Sequence, residues 1–212
     1  MERLSRVVGP NGTNVHLLAD DRSREAIAID TATPSLAWIA DELAARDWTL
    51  KLIVSTHGHW DHIGDNAAVA AHTGADIAVH PADRDRLTDP QPIWAPFGIV
   101  PSVPAVDLAE GGIVRFGEIR LRVFHTPGHT EGSVCLLAED DGLLYSGDTL
   151  FAGGWGRVDL PGGDPDAMAA SLARLTGLED RVAVYPGHGS ATTIGRERAW
   201  LELVRDGGRL FA

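Results

Sequence analysis

His57-Gly58-His59-Trp60-Asp61-His62 closes a short apolar run, Leu50 to Ser55, that reads as a buried strand. In extended backbone alternate side chains point the same way, so His57 and His59 can converge on one metal ion. The backbone then turns, and the adjacent Asp61 and His62 can project onto a second. Imidazole together with carboxylate suits zinc, iron or manganese rather than calcium. This composition scattered at random would give His-x-His-x-Asp-His in roughly one chain per thousand of this size.

The rest of the chain repeats the arrangement. Leu121 to Phe124 runs into Thr126-Pro127-Gly128-His129-Thr130, Leu143 to Tyr145 into Ser146-Gly147-Asp148-Thr149, and Val182 to Tyr185 into Pro186-Gly187-His188-Gly189. Each strand ends in a turn containing glycine, which permits tight backbone paths and presents one candidate ligand. Four such ends at one edge of a sandwich would make a single pocket. Further strands are expected at Val15 to Leu18, Ala26 to Ile29 and Ile77 to Val79, with a hairpin from Ile113 to Phe124 turned at Gly117-Glu118 and another turned at Asp141-Gly142. Helices are expected from Pro34 to Arg46 (capped by Thr33), from Gly64 to Thr73 (stopped by Gly74), from Pro81 onward for a short stretch, from Asp164-Pro165 to about Thr176, and from Ile194 to Val204. Strands followed by helices, twice, would suit two sheets packed face to face with helices outside. No short repeat, low-complexity tract or linker divides the chain, so one domain over residues 1–212 is expected.

His57-x-His59-x-Asp61-His62, followed in order by His129, Asp148 and His188, resembles the metallo-β-lactamase-fold hydrolases, and the similarity covers nearly the whole chain. Gly147-Asp148-Thr149-Leu150-Phe151, Gly156-Arg157-Val158-Asp159-Leu160-Pro161-Gly162-Gly163-Asp164 and Thr192-Thr193-Ile194-Gly195-Arg196-Glu197-Arg198 are similar to the single-domain, glyoxalase II-like (hydroxyacylglutathione hydrolase-like) branch. The resemblance implies an α/β fold, a four-layer αββα sandwich of two mixed β-sheets flanked by helices. It implies two divalent metal ions, zinc foremost and iron or manganese as alternatives. His57, His59 and His129 would hold one, Asp61, His62 and His188 the other, with Asp148 bridging. Asp61 and Asp148 are the catalytic candidates, Asp61 as the group that orients the attacking hydroxide. The reaction implied is cleavage of a thioester, a hydroxyacyl- or acyl-thiol such as a glutathione or mycothiol conjugate, with no Ser or Cys nucleophile.

Three other readings stay open. A persulfide dioxygenase would hold one iron on His57, His129 and Asp148. A lactonase or other ester hydrolase would use the same two ions. A non-catalytic module would bind metal without turnover. Class B1 β-lactamases carry Cys where Asp148 stands, which counts against that activity. Two-domain glyoxalase II enzymes carry a helical C-terminal domain with thiol contacts, whereas this chain ends at Ala212, soon after His188, so a more open site is expected. Lys51 is the only lysine among 18 Lys and Arg residues, a bias of GC-rich genomes, and an actinobacterial source would make mycothiol the thiol.

Composition bounds the partners. A net charge of −12 argues against a nucleic-acid binder, which would show a basic stripe. The single cysteine, Cys135, excludes an internal disulfide and reads as a buried small hydrophobe. Met1 to Arg6 lacks an apolar signal core, and the longest uncharged stretch, Pro90 to Val106, is broken by proline, so a cytoplasmic protein with no membrane partner is expected. The partner is a small-molecule thioester, with homodimerisation left open. The proline-rich loop 88–106 reads equally as a loop packed on the core or as an apolar wall of the site carrying Trp94 and Phe97. Trp155 and Arg157, near the Asp148 turn, complete the substrate candidates. Plugging a loop and pairing with Asp159 are their competing roles. His16, His72, His80 and His125 fall outside the ligand pattern, with His125 nearest to it.

Overall fold

The computed structural model of the protein describes residues 1–90 and 98–208. One mixed sheet runs in the order β1 (Glu2–Val8), β2 (Thr13–Asp20), β3 (Glu25–Ile29), β4 (Thr49–Val54), β5 (Asp76–Val79) and β6 (Val106–Asp107). Its first three strands are antiparallel and the rest parallel. Parallel neighbours need crossovers. Helix α1 (Leu36–Arg46) joins β3 to β4, while α2 (Trp60–Ile63) and α3 (Asn66–Thr73) join β4 to β5. A 3-10 turn, Pro81–Asp83, and α4 (Arg84–Thr88) follow.

The second sheet contains β7 (Ile113–Phe116), β8 (Ile119–His125), β9 (Val134–Ala138), β10 (Leu143–Gly147), β13 (Ala183–Pro186) and β14 (Thr192–Thr193), adjacent in that order. Only the β10–β13 pair is parallel. A two-stranded ribbon, β11 (Leu150–Phe151) with β12 (Gly154–Trp155), follows β10, and α5 (Pro165–Leu175) and α6 (Ile194–Arg205) complete the chain.

Side-chain alternation stacks these sheets. Leu18 of β2, Ile27 and Ile29 of β3 and Val54 of β4 face Val114, Phe116, Leu121, Val134, Leu136 and Tyr145 of the second sheet in one buried core. The alternate residues Leu17, Ala19, Ala28 and Ile53 pack outward under Ile39 and Leu43 of α1 and Val69 of α3. Cys135, Leu137 and Leu144 pack outward under Met168, Leu172 and Leu175 of α5 and Leu201 of α6. Three cores separate four layers, giving the αββα sandwich. Strand β2 is buried at every position, its polar residues Thr13, Asn14, His16 and Asp20 included. Among the described residues no helix is long and apolar enough to cross a membrane.

Local details depart from the sequence expectations for identifiable reasons. Helix α1 begins at Leu36, and Thr33 does not cap it. Asp65 does so from the next connection: its Oδ2 accepts from the Ser35 and Leu36 amides at 2.6 and 2.9 Å, and its Oδ1 accepts from the Thr33 hydroxyl at 2.6 Å. A distant carboxylate has displaced the local hydroxyl. The helix expected from Gly64 to Thr73 begins at Asn66 as α3, after the separate short α2, and Gly64 between them packs against Thr33, where a Cβ would lie 2.4 Å from Oγ1. Strand β1 was not anticipated, since it is a mostly exposed edge with no apolar alternation. Asp164 caps α5 as expected, accepting from the Asp166 and Ala167 amides.

Candidate metal centre

The C-terminal ends of β4, β8, β10 and β13 deliver the seven candidate ligands to one rim of the sandwich. His57 and His59 follow β4, and Asp61 and His62 lie in α2, whose helical turn carries them past the first two histidines. His129 follows β8. Asp148 follows Gly147, whose φ of +48° lets the chain turn sharply, and a Cβ there would strike Thr56. His188 follows Gly187, which lies against Asp148 and His62.

Side-chain donors gather into three overlapping groups, each within 4.8 Å: His57, His59 and His129; His57, His62 and Asp148; Asp61, His62 and His188. The shortest approaches are His59 Nδ1 to His129 Nε2 at 2.8 Å and His62 Nε2 to His188 Nε2 at 3.1 Å. Asp148 stands between the sets, with Oδ1 3.5 Å from His62 Nε2 and Oδ2 3.4 Å from His129 Nε2 and 3.5 Å from His188 Nε2. Asp61 Oδ2 lies 3.4 Å from His188 Nε2. Two ligands about 2.1 Å from a tetrahedral ion lie about 3.4 Å apart, so this spacing suits shared ions.

The outward hydrogen bonds fix which ring nitrogens face inward. His129 Nδ1 donates to the Arg157 carbonyl at 2.7 Å and His188 Nδ1 to the Asn11 carbonyl at 3.1 Å. His62 Nδ1 donates to Asp30 Oδ2 at 3.0 Å. His57 Nδ1 lies 3.1 Å from Thr56 Oγ1, whose own proton goes to Asp30 Oδ2. Each Nε2 lone pair is thereby left for the centre, as metal-ligating histidines require. Among the described residues, His57 Nε2 and Asp148 Oδ1 are buried with no hydrogen-bond partner. Buried polar atoms rarely stay so without cause. Together with the histidine–carboxylate donor set, these orphaned atoms fit divalent metal binding.

The electrostatics agree. Burial and the neighbouring imidazoles push His57 well below the usual histidine range and His59 down to about 3. Burial opposes the charged form of His62 too, yet Asp148, Asp30 and Asp61 outweigh it and hold its imidazolium up to about 10. The carboxylates therefore make a setting that accommodates positive charge. Burial opposes the charged form of Asp61, but His62, His188 and the Asn11 amide outweigh it and hold the carboxyl well below the usual carboxylate range.

Two supporting carboxylates escaped the sequence reading. Asp30, at φ +57° after β3, accepts from the Thr56 amide and hydroxyl and from His62. Asp83 lies wholly buried beneath Gly58 and Thr130. Neither lies beside the ligand motifs in sequence, and the only available sign was an acidic residue close to a strand end.

The donors open into a cavity of about 1000 Å³. Its wall includes Asn11, Trp60, Arg86, Phe151, Arg157 and Leu160. Arg157 lines the cavity, with its guanidinium on Asp159 at 2.7 Å through both nitrogens. Trp155 does not line it. Its ring lies 5.6 Å from that of Trp200 and packs on the α5–α6 core, because β12 turns it away from the cleft. Among the described residues, Trp60 and Phe151 are the large aromatic side chains that line the cavity. Trp94 and Phe97 lie outside the described residues. Of the surrounding loop, Asp89 and Pro90 line the cavity and Ile99 packs on the first core. His125 is stacked on His80 at 3.9 Å, away from the donors, and its Nε2 donates to the Glu131 carbonyl.

A family model described as the metallo-beta-lactamase superfamily matches residues 8–188. An uncharacterised protein of Aquifex aeolicus is 39% identical over 91% of this chain and 92% of its own length. The hydroxyacylglutathione hydrolase GloC of Haemophilus influenzae is 32% identical over 87% of this chain and 89% of its own. Among solved structures, the BLEG-1 B3 metallo-beta-lactamase superposes with a TM-score of 0.83 at 33% identity, covering 93% of this chain and 97% of that one. ETHE1 from Myxococcus xanthus gives 0.83 at 27% identity, covering 97% and 85%. TTHA1623 in a di-iron-bound form gives 0.82 at 32% identity, covering 92% and 96%.

Proposed function

We propose a thioester hydrolase, and the premise is that the chain belongs to the metallo-β-lactamase superfamily. The substrate class is a hydroxyacyl- or acyl-thiol, a small molecule met in the cytoplasm. One observation carries the reading. The Asp148 carboxylate has one oxygen toward His62 and the other toward His129 and His188, so a single side chain can serve both donor sets. A pair of divalent ions held there supplies Lewis acidity and a water acidified to near neutrality.

The chain's own residues set the rest. Asp61, anchored by the Asn11 amide at 2.9 Å and kept anionic, accepts a hydrogen bond from the attacking water and aims it. Trp60, Phe151 and Leu160 give the cleft an apolar wall against which the acyl or thiol portion lies. Water adds to the thioester carbonyl and the C–S bond breaks, giving a carboxylate, a thiol and one released proton. No cysteine takes part: Cys135 is buried, and burial pushes its thiol up to about 11. The GloC relative supports a hydroxyacyl-thiol substrate.

Metal analysis of the purified protein, followed by a substrate panel on the same sample, tests this. Two ions per chain and hydrolysis of lactoylglutathione or an acyl-mycothiol, abolished by chelation and restored by zinc or iron, are expected. One iron per chain with oxygen uptake on a thiol persulfide would overturn it in favour of a dioxygenase holding that iron on His57, His129 and Asp148. Preference for a lactone, or metal binding without turnover on any substrate of the panel, would equally remove the thioester assignment.

A further inference from the structure

Asp83 ends the 3-10 turn beside α4, and its side chain is fully buried. Oδ2 accepts from the Gly58 amide and from the Thr130 hydroxyl, both at 2.7 Å, and Oδ1 accepts from the Gly132 amide at 2.9 Å. Arg86 Nε stands 3.5 Å from Oδ1. Those contacts occupy the lone-pair positions of a carboxylate. Gly58 separates His57 from His59, and Thr130 follows His129. The turn reaches both loops because they lack side chains where it packs. A Cβ on Gly132 would lie 2.6 Å from Asp83 Cγ, and one on Gly58 would lie 2.5 Å from Arg86 Cβ.

We infer that Asp83 is the positioning residue of the subsite formed by His57, His59 and His129, clamping the two loops that carry those three rings while leaving the Asp61, His62 and His188 subsite to other supports. This rests on the binuclear reading above. None of Asp83's partners is a donor in the second subsite; His62 is instead gripped by Asp30, and His188 by Asn11. Asparagine cannot replace the carboxylate. Its amide nitrogen must face Gly58 and Thr130 or else Gly132 and Arg86, so at least one backbone amide loses its acceptor. The loops then shift, and ligand distances must hold within about 0.2 Å for full affinity.

The experiment is equilibrium dialysis of the full chain against graded zinc buffers, with bound zinc counted and folding followed by circular dichroism. Wild type is expected to bind two ions. Asp83→Asn should keep one at wild-type affinity and bind the other about 10- to 100-fold more weakly, the range typical of groups that orient ligands. Combining it with His59→Ala should add nothing to the affinity of the ion that remains, whereas combining it with His188→Ala should weaken the remaining ion by the same factor. Thr130→Val removes one of the three hydrogen bonds to Asp83 and should give a smaller loss in the same subsite, which covers failure of the asparagine variant to fold. Unchanged binding of both ions in Asp83→Asn, equal weakening of both, or further weakening in the His59→Ala background would overturn the inference and leave the binuclear reading standing. Wild type that binds fewer than two ions would overturn both.

Discussion

Adding a single methyl group at Gly187 should disable the site without unfolding the protein. Gly187 is outside the positive-φ set, so alanine is conformationally allowed there and the effect is steric. Its Cβ would lie 2.3 Å from Asp148 Oδ1 and 2.7 Å from His62 Cε1. The backbone cannot retreat freely, since the Gly187 amide donates to the Gly147 carbonyl at 2.8 Å and its own carbonyl accepts from Asn14 at 2.7 Å. Real Cβ atoms stay at least 3.0 Å from their neighbours, so Oδ1 must move by about 0.7 Å. A tolerance of about 0.2 Å in ligand distance is exceeded several-fold. Overpacking of this kind costs about 1–3 kcal/mol. At about 2–4 °C per kcal/mol for a chain of this size, the melting temperature should fall by about 2–12 °C. Misplacement near 1 Å costs about 100-fold in rate, so kcat/KM on the thioester should fall by about that factor, with metal content below two ions per chain. Gly189→Ala is the control in the same loop: its Cβ meets nothing within 4 Å, and only its φ of +74° is strained. It should lose stability but keep its metal. Gly187→Ala with two ions and wild-type kcat/KM would refute the reasoning.

Other perturbations separate stability from chemistry. His16 lies between the sheets, 5.0 Å from the Tyr145 ring and bonded to Ser5, and burial pushes it down to about 4 against the pull of Asp30. Between about pH 6.5 and 4 the unfolded chain takes up a proton that the folded chain refuses, so stability falls with pH across that window, by about 3 kcal/mol at about 1.4 kcal/mol per unit. Urea unfolding of His16→Gln should show a shallower pH slope than wild type over this window, and identical slopes would exclude the effect. Asp65→Ala removes the acceptor of the Ser35 and Leu36 amides. It should cost about 2 kcal/mol and lower the melting temperature by about 4–8 °C at unchanged metal content; a calorimetric scan matching wild type would count against this capping role. Cys135 should resist a thiol reagent at pH 8 in the folded protein, and Cys135→Ala should retain activity. Rapid labelling of native protein would contradict its burial.

Much of the site was legible in the sequence because it is made of strand ends. His57, His59, Asp61 and His62 lie close enough along the chain for local geometry to suggest two metals, and His129, Asp148 and His188 each follow a short apolar run and accompany a glycine. The support of those residues was not legible. Asp30 and Asp83 resemble ordinary surface acids until the fold brings them to Thr56, His62, Gly58 and Thr130. Trp155 shows the same limit from the other side: its position near Asp148 suggested the cleft, and the β11–β12 ribbon turns its ring onto Trp200.

Residue order alone specifies the alternation that stacks two sheets between helices and the candidate donors, because side-chain period and ligand chemistry are local properties. Packing of distant segments sets which nitrogen of each imidazole faces inward, how the Asp148 oxygens divide between the donor sets, which buried carboxylates support the rings, and which of the described aromatic residues line the cavity. Those depend on hydrogen bonds between segments far apart in the chain, such as Asp30 with His62 and Asn11 with His188. Such bonds leave no trace in residue order, since each exists only once the sheets have packed and brought the two segments together, and the buried ones such as Asp30 with His62 then have no water to compete.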